Sequence, residues 1–165
     1  FHYRGYAPST GRPTAAALLD DAVAVYDHLA HGRGVVAVGF SIGAGPAAHL
    51  TNERPLTGVL LVTAFDSLEA LAHGHYPWAP VGWLLRHRME PAADLAAAGV
   101  PVALISADRD GIIPAARTQA LREALARTTP GIVFDQTIAG GHNDIYARPE
   151  LTVAMRAALI ALEGE

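Results

Sequence analysis

The 165-residue chain is 51% hydrophobic and has 12 basic against 16 acidic residues, which gives a formal net charge of −4. These values predict one globular domain, residues 1–165, with ample material for a core, and they argue against a nucleic-acid partner because no basic cluster is present. The absence of cysteine excludes disulfides and thiolate metal sites.

Helical and extended patterns alternate along the chain. Thr14 is a predicted N-cap, and apolar residues at i, i+3 and i+4 spacing indicate an amphipathic helix after it. Four segments are predicted strands, and the run 58–63 has the continuous apolar character of a buried parallel strand. The predicted strands are residues 35–40, 58–63, 102–106 and 132–138, and further helices are predicted at 42–50, 114–127 and 149–162. This alternation predicts an α/β fold, a three-layer αβα sandwich around a mostly parallel sheet.

The junction between the first strand and its helix reads Gly39-Phe40-Ser41-Ile42-Gly43. A G-x-S-x-G pattern at a strand-to-helix turn is typical of a nucleophile elbow, which lifts the serine hydroxyl clear of the backbone. We expect both glycines to be required, because neighbouring segments pass where a Cβ would clash.

A serine nucleophile needs a base and a third group that orients the base. Asp108 and Asp110 follow the predicted strand 102–106, on the edge where open α/β sheets build their sites. His142 follows two glycines after the last predicted strand. The order serine, acid, histidine is the one that a nucleophile elbow predicts, and either aspartate can be the acid.

Taken together, four motifs make the chain resemble the α/β-hydrolases, in particular small capless serine hydrolases. They are Tyr3-Arg4-Gly5-Tyr6, the G-x-S-x-G turn, the D-x-x-I-P run at 110–114 and the G-H-x-D run at 141–144. The resemblance implies Ser41 as nucleophile, Asp110 as acid and His142 as base, with Asp108 as the competing acid. It also implies that the backbone N–H of Ile42 is one oxyanion donor.

The activity that the resemblance implies is hydrolysis of carboxylic esters with small to medium acyl groups, through an acyl-enzyme. We expect a small-molecule ester as the substrate, and neither a cofactor nor a metal ion. We expect a cytoplasmic protein, since the absence of cysteine fits a reducing compartment. No apolar run approaches the roughly 18 residues that span a bilayer. The alanine-rich, lysine-free composition suggests a bacterial source.

The chain begins at Phe1 rather than at Met, so a signal peptide or an anchor ahead of it would not be visible. In the family that the chain resembles, residues 3–6 correspond to the exit from the fourth strand. The resemblance therefore implies that the first strands are absent, that strand 35–40 becomes an exposed apolar edge, and that the second oxyanion donor is missing. We expect residues 1–165 to be the C-terminal portion of the fold, with a complementing N-terminal polypeptide as a partner.

Two other functions compete with hydrolysis as interpretations of the sequence. Gly43, Gly45 and Ala48 fit the G-x-G-x-x-A pattern of a dinucleotide-binding loop, and Asp66 ends the next strand at the distance of a ribose-binding acid. That interpretation leaves the D-x-x-I-P and Gly-Gly-His motifs unexplained. The second alternative is a catalytically inactive hydrolase fold that serves binding.

Some residues have simpler interpretations. Asp66 is a predicted cap of a helix that begins at Ser67. His73 and His75 are predicted to be loop residues rather than a metal pair, since no cysteine or carboxylate cluster accompanies them. The aromatic stretch 66–90 predicts either one wall of an acyl pocket or a surface helix pair packed on the sheet.

Overall fold

The computed structural model describes residues 2–78 and 88–164, in which helices and strands alternate as predicted. The helices are α1 Ala15–Leu29, α2 Ala44–Glu53, α3 Leu68–His75, α4 Pro91–Ala98, α5 Ala115–Leu125 and α6 Pro149–Glu163, with 3₁₀ turns at Ser41–Gly43 and Asp144–Ala147. The strands are β1 Val36–Phe40, β2 Gly58–Val62, β3 Val102–Ala107 and β4 Ile132–Ile138.

The four strands form one sheet in the order β1-β2-β3-β4, and every pair is parallel. Phe40 and Val62, the last residues of β1 and β2, lie beside each other, and β3 and β4 extend two residues past this level, to the neighbouring Ala107 and Ile138. Because all carboxyl ends meet at one edge, the segments that follow β1, β3 and β4 converge there.

The two faces of the sheet carry separate apolar layers. Residues of α1, α2, α4 and α5 pack on the face that includes Val59 and Leu61. On the opposite face, α6 packs against Leu60 and Val62 with neighbouring residues of β3 and β4. The predicted α/β class, with a parallel sheet between two helical layers, is confirmed.

Strand β1 lies at an edge of the sheet, and β2 is its neighbour among the described strands. Helix α6 packs on β2, β3 and β4. Beside it, Val38 and Phe40 of β1 remain 41% and 38% exposed. A groove of about 460 Å³ extends along β1 between α1 and α2, lined mostly by apolar residues. The strand that precedes the serine therefore has apolar side chains and a groove that α6 does not cover.

The start of α3 corrects one prediction. Ser67 is the N-cap of this helix, and its Oγ accepts a hydrogen bond from the N–H of Ala70 at 3.3 Å. Asp66 instead pairs with Arg117 of α5, with Oδ2 and Nη1 3.2 Å apart. The helix begins one residue later than Asp66 would need in order to cap it. Thr14, in contrast, caps α1 as predicted, by accepting from the N–H of Ala17.

The aromatic stretch 66–90 is described only in part. Helix α3 occupies its first third, and Trp83 lies outside the described residues, as does the remainder of 79–87. The interpretation of this stretch as a pocket wall therefore also lies outside them. Within 2–78 and 88–164, no helix combines the length and the apolar character that crossing a membrane requires.

Candidate active site

Ser41 lies one residue beyond β1, with a backbone φ of +50°. A non-glycine residue in the left-handed region is uncommon, and such strain clusters at functional sites. The turn is tight because the chain reverses onto its own strand: a Cβ on Gly39 would lie 2.5 Å from the carbonyl oxygen of Gly43. The elbow geometry therefore requires glycine at position 39.

Gly43 differs from Gly39, and here the expectation of two required glycines is wrong. A Cβ on Gly43 would meet the hydroxyl of Tyr3 at 3.5 Å, an ordinary van der Waals contact. The close approach at this turn is made by the backbone of Gly43 to Gly39, so only the first glycine lacks space for a side chain.

The serine, the histidine and one aspartate form a continuous chain of hydrogen bonds. His142 Nε2 is 2.9 Å from Ser41 Oγ, and His142 Nδ1 is 2.7 Å from Asp110 Oδ2. A carboxylate can only accept, so Nδ1 carries the proton and Nε2 is left to accept the hydroxyl proton of the serine. The side chains of His142 and Asp110 are each only 7% exposed, which protects these bonds from competing water.

The second oxygen of Asp110 is also fixed. Asp110 Oδ1 accepts from the N–H of Ile112 at 2.9 Å and from the N–H of Ile113 at 2.7 Å. The D-x-x-I-P motif thus folds back on its own carboxylate. This leaves the other oxygen aimed at the imidazole.

Asp108 has a different partner. Its Oδ1 accepts from the N–H of Gly140 at 2.7 Å, and its side chain is 46% exposed. The Gly140 N–H lowers the pKa of the Asp108 carboxyl, and the nearby charge of Arg109 lowers it further. Asp110 therefore hydrogen-bonds to the imidazole of His142, whereas Asp108 hydrogen-bonds to the backbone of the loop that contains His142.

A second carboxylate supports that loop from its other side. Asp144 Oδ2 accepts from the N–H of Gly141 at 2.9 Å, and its own N–H donates to the carbonyl of Gly141. Gly140 has a φ of +149°, which only glycine adopts readily. Asp144 thus acts on the loop beside His142 and makes no described contact with the imidazole.

Two residues that the sequence analysis did not single out lie against this site. Thr63 follows β2 as Ser41 follows β1, and it too has a φ of +50° although it is β-branched and only 1% exposed. Its Oγ1 is 3.0 Å from the hydroxyl of Tyr146. Tyr146 packs edge to face with His142, at 6.3 Å between ring centroids, and against Phe40 at 5.8 Å. Residues 63 and 146 are too far apart in the chain for a sequence pattern to connect them.

The backbone N–H of Ile42 belongs to the first residues of the 3₁₀ turn that begins at Ser41. The first N–H groups of a helix have no partner within it and can face an anion. This position, one residue past the serine, suits the oxyanion donor that the resemblance implies.

The residues of the alternative interpretations are used for packing and structural bonds. A Cβ on Gly45 would lie 2.5 Å from the sulfur of Met89, so this glycine lies under a core side chain. Asp66 is paired with Arg117. His75 Nε2 is 2.8 Å from the carbonyl oxygen of Ile112. Among the described residues, no group of three or more potential ligands is arranged to hold a metal ion.

No protein-family model matches the chain. An uncharacterized protein of Mycobacterium tuberculosis, Rv2307c, is 33% identical over 156 residues, which are 92% of this chain and 53% of that protein. The alpha/beta hydrolase domain-containing protein WAV2 of Arabidopsis thaliana is 26% identical over 165 residues, covering 87% of this chain and 53% of WAV2. This chain thus spans about half the length of the curated relatives it matches.

Solved structures give the same fold. A thermophilic esterase from Thermogutta terrifontis superposes with a TM-score of 0.65 at 20% identity, covering 98% of this chain and 78% of the esterase. The parallel sheet, the strained serine after its first described strand and the order of motifs along the sequence agree with this likeness. The chain has the fold of the α/β-hydrolases.

Proposed function

We propose that the protein is a serine hydrolase that cleaves carboxylic esters through an acyl-enzyme on Ser41. The observation that carries the proposal is the unbroken series of hydrogen bonds from Asp110 through His142 to Ser41, at 2.7 and 2.9 Å. Each member has the orientation that its role requires, since Nδ1 donates to the carboxylate and Nε2 faces the hydroxyl.

In this mechanism, His142 Nε2 takes the hydroxyl proton while Ser41 Oγ attacks the ester carbonyl carbon. The tetrahedral oxyanion is stabilised by the N–H of Ile42. His142 then returns the proton to the alcohol oxygen as the carbon–oxygen bond breaks. Water attacks the acyl-serine with His142 again as base, and the carboxylic acid leaves as the proton returns to Ser41. Asp110 fixes the ring and stabilises the imidazolium throughout.

The proposed substrates have small to medium acyl groups. Three apolar side chains close to the triad in sequence are 38% to 46% exposed. They are Phe40 and Ile42, which flank Ser41, and Ile112, which lies two residues after Asp110. They offer a limited apolar surface near the triad, which supports acyl groups of this size. A panel of p-nitrophenyl esters from two to sixteen carbons tests it. We expect the highest kcat/KM at the short and middle lengths, and a maximum at the longest esters would contradict the proposed acyl range.

The reaction itself is tested with a fluorophosphonate probe followed by peptide mass mapping. We expect the probe on Ser41 and no labelling of the His142→Ala variant on the same timescale, since the serine needs its base. Ser9→Ala is the matched control, because Ser9 is a partly exposed serine bonded to the carbonyl of His2, and this variant should label like the wild type. Labelling at a serine other than Ser41 would contradict the proposal.

The same samples separate the two alternatives. A dinucleotide-binding domain would be stabilised against heat by NAD and would not react with the probe. An inactive hydrolase fold would neither react nor turn over any ester. Probe reaction at Ser41 together with ester turnover excludes both.

A further inference from the structure

Tyr146 packs against the base of the proposed triad and against the residue that precedes its nucleophile. Its ring stands at 89° to the His142 imidazole with 6.3 Å between centroids. It also packs on Phe40, the residue immediately before Ser41, with 5.8 Å between centroids. One aromatic ring therefore contacts the base directly and the nucleophile through its chain neighbour.

The hydroxyl of Tyr146 is anchored on a residue of unusual backbone geometry. Thr63 Oγ1 donates its only proton to the carbonyl of Val62 at 2.8 Å. The 3.0 Å contact with Tyr146 must therefore be a bond in which the tyrosine donates and the threonine accepts. Thr63 follows β2 and has a left-handed backbone, with a φ of +50°, and this conformation places its Oγ1 at the end of the strand.

These contacts join three neighbouring positions on the carboxyl edge of the sheet. Phe40 pairs with Val62 in the parallel register, so Ser41 and Thr63 are the residues that follow a matched pair of strand ends. Both have a φ of +50°. Tyr146 spans from this pair to the loop after β4, where Ile145 is fully buried and fixes the turn that carries the tyrosine.

We propose that Tyr146 is a positioning residue for the proposed Ser41–His142 pair: its ring, anchored by its hydroxyl on Thr63, holds the imidazole at hydrogen-bonding distance from the serine. This inference rests on the proposed serine-hydrolase function. Tyr146 acts through His142 and takes no proton itself. Without the Tyr146 ring, the imidazole of His142 can move away from Ser41. Displacement of a catalytic group by about 1 Å can lower a rate by roughly 10²-fold.

The test compares Tyr146→Ala with Tyr146→Phe, using ester turnover and the fluorophosphonate reaction on the full chain. For Tyr146→Ala we expect kcat to fall by about 10- to 100-fold with KM changed by less than about threefold. We expect the probe to label the variant to the same final extent as the wild type, but more slowly by the same factor as kcat. Tyr146→Phe keeps the ring and should retain at least about a third of kcat.

Tyr26→Phe is the matched control. Tyr26 also donates its hydroxyl to a structural acceptor, the carbonyl of Pro55 at 2.8 Å, and its ring lies on the opposite helical layer. This variant should keep the wild-type rates of turnover and labelling. A loss equal to that of Tyr146→Phe would show that removing a tyrosine hydroxyl acts through general stability, and the inference would fail.

The anchor is tested separately by Thr63→Val, which keeps the β-branched shape and removes the hydroxyl. Its effect on kcat should match that of Tyr146→Phe, and the double variant should be no worse than either single one, because both break the same bond. Multiplicative losses would overturn the role of the anchor.

Other outcomes contradict the inference in distinguishable ways. If Tyr146→Ala lowers the final labelled fraction in proportion to kcat, the residue only maintains the fold. If KM rises at constant kcat, Tyr146 contacts substrate instead. If Ser41 of the wild type does not react with the probe, the proposed function itself fails, and this inference fails with it.

Discussion

Ser41 follows β1, whose Val38 and Phe40 are 41% and 38% exposed. Asp110 and His142, which follow β3 and the other edge strand, β4, have side chains that are themselves only 7% exposed. The nucleophile side is positioned by backbone geometry, namely a strained turn that has no space for a Cβ at Gly39. The acid–base side is positioned by carboxylates that accept backbone N–H bonds across its two loops.

This difference teaches that one site can be fixed in two ways. The Ser41 turn depends on the close approach of two backbone segments, which leaves no space for a Cβ at Gly39. It needs few hydrogen bonds and tolerates exposed side chains on the strand beside it. A pair of loops held by hydrogen bonds depends on each acceptor and on protection from water. The two sides should therefore respond differently to substitution and to pH.

The largest effect is expected where the two sides meet. Ser41→Ala and His142→Ala should each lower kcat by at least about 10⁴-fold, and the double variant should be little worse, because groups that act as one unit are not additive. Steady-state ester kinetics with all three variants measure this. Losses that multiply would show that the two residues do not share a step.

The acid–base side is resolved by its two aspartates. Asp110→Asn should lower kcat by about 10⁴-fold, because the amide forces the wrong imidazole tautomer. Asp108→Asn is the matched change two residues away and should cost less than about tenfold, since it affects the ring only through the loop. Equal losses would leave the acid unassigned, and the reverse order would transfer the role to Asp108.

The nucleophile side is resolved by its two glycines. Gly39→Ala should lower the free energy of unfolding by about 1–3 kcal/mol or more, since the added methyl group meets backbone atoms. Gly43→Ala should change it by less than about 0.5 kcal/mol, because its methyl group has space. Urea denaturation at neutral pH measures both, and similar values would show that the elbow is not held by close approach at Gly39.

The pH dependence of stability tests the hydrogen bond between the Asp108 carboxylate and the N–H of Gly140, because the serine turn contains no titratable group. The pKa of Asp108 is lowered by the Gly140 N–H, so its stabilising contribution is complete above the ordinary aspartate value and is lost as pH falls through the lowered one. From about pH 4 downward, the wild type should lose urea resistance more steeply than Asp108→Asn. Parallel curves would show that the Asp108 bond contributes nothing to stability.

The smallest effect concerns the uncovered edge. An exposed apolar edge strand pairs with added strands or self-associates, so the chain should show concentration-dependent association in sedimentation experiments. Val38→Lys should weaken this association without changing the helical content, because a charged edge strand resists pairing. A wild type that stays monomeric at high concentration would show that the open edge has no such consequence.

The sequence by itself determined the order of elements, the parallel strands and the serine turn, because these depend on local periodicity and on short motifs. It also brought Ser41, Asp108, Asp110 and His142 to one edge of the sheet, since each follows a predicted strand. It did not separate the two aspartates from their position alone. Both follow β3, and only the folded loops show that one carboxylate faces a ring and the other faces a backbone N–H.

Tertiary structure decided the rest, because the deciding contacts join distant parts of the chain. Asp66 meets Arg117 rather than capping α3, and Gly45 lies under the core side chain of Met89. Tyr146 meets Thr63 across 83 positions. Local patterns report the conformation of a segment, whereas the partner of a side chain depends on how the strands are ordered in the sheet, and that order is set by packing between segments far apart in sequence.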